Sequence, residues 1–130
     1  MNSQPSKWSL TKINHALRDG SLTSVELVED CINNLRPELS AYREWTPEKA
    51  IIQAQAADDA LAQAKDFGTL QGIPISVKDL YGVDGTQTFA GSPAPMPSPW
   101  QSEGDLIKAL RQQHSVFTGK THTVEFAFGG

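Results

Sequence analysis

The chain has 130 residues, 38% of them hydrophobic and 20% charged, and a formal net charge of −4. That length holds one core and little more, the composition excludes a disordered or membrane-borne chain, and an acidic balance without any basic run excludes an obvious nucleic-acid footprint. No window reaches the roughly 18 consecutive apolar residues of a membrane span, the opening residues carry no apolar segment of a secretory signal, and the single cysteine, Cys31, has no internal disulfide partner, so the expected setting is cytoplasmic.

Leu10, Ile13 and Leu17 recur at helical spacing over residues 9–19, and Gly20 follows where a helix C-terminus favours glycine. A short amphipathic helix is expected there. Thr23, Ser24, Val25 and Glu26 have the form of a capping box, and Val25, Val28, Ile32 and Leu35 make the apolar stripe of a second helix that stops before Pro37. Cys31 falls inside this pattern and reads as a small buried apolar side chain. A loop carrying Tyr42 and Trp45 leads to Thr46 as N-cap, Pro47 at the first helical position and Glu48 in the first turn. The alanine-rich run to Lys65 predicts a long helix with Ile51, Ala54, Ala57, Leu61 and Ala64 along one side, closed by Gly68. Its small residues allow close approach to a neighbour. Asp58 and Asp59, on the same helix, are expected to be solvated.

Ile73, Ile75 and Val77 then alternate with Pro74, Ser76 and Lys78, which predicts a strand with one buried face and the lysine on the other. Asp79 follows at once, and Gly82, Gly85 and Gly91 punctuate the loop beyond, letting it turn tightly or approach a ligand. A lysine serves as a base only where burial or a neighbouring cation lowers its pKa, and the apolar strand offers such desolvation. Composition alone favours the plainer alternative, a solvated strand-end lysine paired loosely with Asp79. Prolines at 93, 95, 97 and 99 remove backbone donors and predict an extended surface connection, with a lid as the alternative. Residues 102–105 resemble a helix start, with Leu106, Ile107 and Leu110 as the buried face up to about Gln113, and Val116 and Phe117 read as a short strand.

Gly119, Lys120 and Thr121 match the end of a phosphate-binding loop, but the pattern requires a glycine five positions earlier, where His114 stands. That reading fails. His15, His114 and His122 are scattered, without the local spacing of a metal site, and no metal is expected. The order of three helices, strand, loop, helix and strand points to an α/β layer structure.

The stretch from Leu70 through Lys78, Asp79 and Leu80, then Gly85, Thr86 and Thr88 with Ala90, Gly91 and Ser92, then Leu110, and finally Gly119, Lys120, Thr121 and His122 with Glu125, Phe126 and Ala127, resembles the N-terminal part of the amidase signature family. The helix pair with Gly20, Thr23 and Glu26 is also similar to that family's opening. The resemblance runs from about Leu10 to Gly130, with its motifs in the right order. It implies an α/β fold built on a large mixed sheet, of which this chain would supply N-terminal helices (residues 1–68) and a strand, loop, helix and strand (residues 69–130), as one portion of a single domain. It implies hydrolysis of small-molecule amides by a Ser, cis-Ser, Lys triad without metal or organic cofactor, and Lys78 matches the catalytic lysine. A neutral lysine takes the proton of a bridging serine, which activates the nucleophilic serine. The glycine- and serine-rich segment that supplies both serines lies, in the family, beyond these residues; no Gly-Ser-Ser-Gly run occurs here, and Ser76 and Ser92 are not at the family's serine positions. His122 stands where many members carry asparagine.

The expectation is therefore an amidase fragment that holds the base without its nucleophile, inactive alone. Two alternatives accompany it: an interaction module without enzymatic activity, whose uncovered apolar faces drive self-association, and one half of a split amidase completed by a second chain.

Overall fold

A computed structural model describes residues 4–129. Helix α1 (Leu10–Asp19) starts where the Ser9 hydroxyl accepts from the Lys12 amide at 3.2 Å and ends at Gly20, whose φ of 79° is the left-handed conformation expected there. Its buried face is Ile13, Ala16 and Leu17. Leu10, expected on that face, is exposed. Helix α2 (Ser24–Asn33) carries the predicted capping box: the Glu26 carboxylate accepts from the Thr23 amide at 2.8 Å, and the Thr23 hydroxyl accepts from the Glu26 amide at 3.1 Å.

A second cap reaches α2 from elsewhere in the chain. The Asp58 carboxylate accepts from the backbone amides of Ser24 at 2.7 Å and Val25 at 3.1 Å. The expectation of a solvated Asp58 is therefore corrected: it satisfies two helix-terminal donors that would otherwise lack partners. Asp58 belongs to helix α3 (Pro47–Ala62), which ends short of Lys65 as Ala64 turns to a φ of 58°. Thr46 does not cap α3 with its side chain; both its amide and its hydroxyl donate to the Thr118 carbonyl. Ala50, Ala54, Ala57 and Ala60 form the buried face, which brings α3 close to α2 and to the sheet. Ala64, predicted on that face, is exposed.

Three strands form a mixed sheet in the order β1-β3-β2. Strand β2 (Pro74–Lys78) runs parallel to the central β3 (Val116–Thr121), while β1 (Tyr42–Trp45) is antiparallel to β3 on the other side. The fold is the α/β arrangement of helices and partial mixed sheet that the sequence predicts. Strand β1 is the addition, since a loop is expected at Tyr42 and Trp45. The β3 strand is also longer than Val116 and Phe117 suggest, and it is buried from Val116 through Lys120.

Gly119 has a packing role in that strand. A Cβ there would run into the Glu44 carbonyl of β1, so only glycine lets the two strands approach. Between β2 and β3 the chain passes through exposed prolines, a 3-10 turn at Ser98–Trp100 and helix α4 (Asp105–Gln112). Ile107 is buried under α4 and Leu110 partly so, whereas Leu106, expected inside, is 56% exposed. Gly104 is the N-cap of α4 and no side chain caps it. Glu103 instead binds the Arg111 guanidinium and accepts from the Asp84 amide at 2.9 Å, and the hydrogen bond from Arg111 holds its carboxyl below the usual range.

Candidate active site

Lys78 is the last residue of β2, at the carboxyl end of the parallel β2–β3 pair, where open α/β sheets place their ligands. Across the ladder it pairs with Thr121, and the Asp79 amide donates to the Thr121 carbonyl at 3.0 Å, carrying the pairing one residue further. The chain then turns sharply: the Lys78 carbonyl accepts from the amides of Leu80 at 2.7 Å and Tyr81 at 3.1 Å. Val77 is buried and Lys78 is exposed, as the alternation predicts. The desolvation expected from the apolar strand is absent among the described residues, because the lysine points away from the face that the strand buries.

Asp79 does not pair with Lys78. Its carboxylate is 1% exposed and faces Lys120, also 1% exposed, whose ammonium stands 2.9 Å from Oδ1, off the axis of a directed hydrogen bond. Oδ2 accepts from the Phe89 amide at 3.2 Å and lies 3.6 Å from Arg43 Nε. Lys120 also donates to the Thr88 hydroxyl at 3.1 Å. A buried ion pair thus lies directly beneath the chain that leaves Lys78.

The pair organises the following loop. The Gln101 side chain accepts from the Thr88 amide at 2.7 Å and donates to the carbonyls of Thr88 at 2.9 Å and Met96 at 2.8 Å, while the Met96 amide returns to Thr88 at 2.8 Å. At Gly82 a Cβ would meet the Ser102 carbonyl, so the glycine permits a close backbone approach there. The result is a loop tied at several points to its own far end. Leu80, Ala90, Met96, Trp100 and Phe126 line an apolar hollow of about 470 Å³ beside it.

Cys31 is half-buried, and burial pushes its thiol pKa up, away from a nucleophile. His114 stacks on Phe67 with ring centroids 5.1 Å apart. Among the described residues no three histidine, cysteine or carboxylate side chains group closely enough to hold a metal ion. The residues that sequence reasoning misses are Lys120, Asp79 as its partner, and Arg43. One signal is available: Gly119, Lys120 and Thr121 follow the apolar pair Val116 and Phe117, so Lys120 continues a buried strand.

A family model described as Amidase matches residues 23–130. The 2-amino-5-chloromuconic acid deaminase of Comamonas testosteroni is 47% identical over 117 residues, covering 88% of this chain and 25% of that protein. The indoleacetamide hydrolase of Bradyrhizobium diazoefficiens is 31% identical over 127 residues, covering 95% of this chain and 24% of that protein. Among solved structures, a crystal structure of an amidase superposes with a TM-score of 0.83 at 29% identity, over 94% of this chain and 28% of that one. The peptide amidase of Stenotrophomonas maltophilia gives 0.81 at 25% identity, over 93% and 26%. The chain spans about a quarter of the length of the curated relatives it matches.

Proposed function

Because this chain belongs to the amidase signature family, we propose that it is the part of a C–N hydrolase that carries the catalytic base, Lys78. The observation that supports the reading is the place of Lys78, at the carboxyl end of the parallel strand pair and anchored above the buried Asp79–Lys120 pair. In the reaction, neutral Lys78 takes the proton of a bridging serine, which takes that of the nucleophilic serine as it attacks the amide carbonyl; the proton returns through the bridging serine to the departing amine, and water, deprotonated by the same path, hydrolyses the acyl-enzyme to the acid. Both serines and the oxyanion-hole donors come from a segment outside residues 1–130, which contain no Gly-Ser-Ser-Gly run. The Lys78 side chain is exposed in this chain.

The 130-residue chain alone therefore releases no ammonia from a panel of small amides; under the split-enzyme alternative, the chain combined with a polypeptide carrying the serine segment does. Lys78→Ala lowers that rate by roughly 10²–10⁴-fold, the range for loss of a general base. Hydrolysis by the isolated chain would overturn its inactivity, and hydrolysis that survives Lys78→Ala would overturn the role of the lysine. Failure of the mixture to recover any activity would remove the split-enzyme reading. The cytoplasm is the proposed setting, supported by the unpaired Cys31; recovery in an oxidising compartment upon cell fractionation would move it.

A second reading of the substrate draws on the deaminase relative at 47% identity. Its name gives it an amino derivative of muconic acid, a dicarboxylate, and this reading places the cleaved C–N bond on a carboxylic acid rather than on a simple amide.

A further inference from the structure

We propose that Arg43 forms a carboxylate-binding subsite at the same end of the sheet as Lys78, and that it recognises an acid group on the substrate. The substrate's identity rests on the C–N hydrolase reading; the binding does not. Arg43 lies where the β1–β3 register shifts, between the pairs Tyr42–Thr121 and Glu44–Lys120. Such an irregularity takes a residue out of the strand's alternation and re-aims its side chain. The guanidinium carbon stands 3.3 Å from the centroid of the Phe89 ring, and Nε faces Asp79 at 3.6 Å. Stacking on one face and attraction along one edge together fix the plane of the fork.

The plainer role, counter-charge to Asp79, leaves most of this arginine unused. Lys120 already stands 2.9 Å from that carboxylate, and 3.6 Å is too long for a hydrogen bond from Nε. Among the described residues neither terminal nitrogen of Arg43 donates to a protein acceptor, and the residue is exposed, so both are open to a ligand. Arg43 lines an open hollow of about 430 Å³ together with Glu44, Gly85, Thr86, Gln87 and Phe89. Lys49 borders it too, its ammonium donating to the Gly85 carbonyl at 2.7 Å. Among the residues that line the hollow, Arg43 and Glu44 are the charged ones and carry opposite signs, so what an acid group would meet there is the Arg43 fork itself. A forked donor with two free N–H groups matches the two oxygens of a carboxylate.

Thr121 ties this subsite to the candidate base, since it pairs with Lys78 on one side and with Tyr42, the neighbour of Arg43, on the other. Two strand spacings amount to about 10 Å, the separation of the β1 and β2 backbones at this end of the sheet.

The test is a nuclear magnetic resonance titration of the 130-residue chain with muconate, with its neutral diamide and with inorganic phosphate, following the Arg43 Nε–H and Phe89 amide signals. Muconate shifts both signals saturably, the diamide does not, and Arg43→Lys, which keeps the charge but loses the fork, weakens muconate binding by about tenfold. Binding is read on the chain without the serine segment and without any turnover, so loss of the hydrolase reading and loss of the subsite give different results. Thermal melts establish that Arg43→Lys remains folded; Phe89→Leu, which removes the stacking ring, is the second variant and also weakens binding. Equal binding of muconate and diamide, equal or tighter binding of phosphate, no saturable shift with muconate, or unchanged affinity in both variants would overturn the proposal.

Discussion

Lys120 and Asp79 are buried ionisable groups whose energetics depend on each other. Each is 1% exposed, so removing one strands the other's charge in the interior. Lys120→Met is expected to destabilise the chain by about 3–5 kcal/mol in urea unfolding. Adding Asp79→Asn in the same molecule recovers part of that loss, because no uncompensated charge is left. A Lys120→Met variant within about 0.5 kcal/mol of the parent, the range of ordinary surface changes, would show that Arg43 alone satisfies Asp79. The alternation around Lys78 makes its exposure legible. The burial of Lys120 is not, since a local motif does not say which distant acid will meet it, and Gly119, Lys120 and Thr121 resemble a loop although they lie in a strand.

The helices are the most readable elements. Apolar spacing locates α1, α2 and α4, and Thr23 and Glu26 fix the start of α2 by contacts three residues apart. Asp58 escapes a local reading because its partners, the amides of Ser24 and Val25, lie more than thirty positions away and meet it only when α3 packs on α2. Asp58→Ala should therefore cost about 1–2 kcal/mol, the range for a lost N-cap, while Asp59→Ala stays within about 0.5 kcal/mol, as for an ordinary surface change. Denaturant unfolding of the two variants compares them directly, and equal midpoints would remove the capping role of Asp58. Strand β1 escapes for a related reason: with only four residues, Tyr42–Trp45, it shows no alternation to detect and is defined by its pairing with β3.

At the scale of the whole molecule, the sheet is open along β2, whose far edge has no partner strand among the described residues. Trp100, Val124, Phe126 and Phe128 are all at least half exposed. An open strand edge and several exposed apolar side chains both favour pairing with another surface, so the isolated chain is expected to associate as its concentration rises. Light scattering should show this, with Trp100→Ser and Phe128→Ser together reducing it; a monodisperse monomer throughout would exclude it. The sequence by itself determined the helices, the β2 strand, the exposure of Lys78 and the family, because periodicity, caps and motif order are local properties of the chain. Only the tertiary structure decided that Lys120 is buried against Asp79, that Asp58 caps α2, and that Arg43 lies at the Lys78 end of the sheet. Each of those depends on groups brought together from separate segments, and their desolvation follows from that packing.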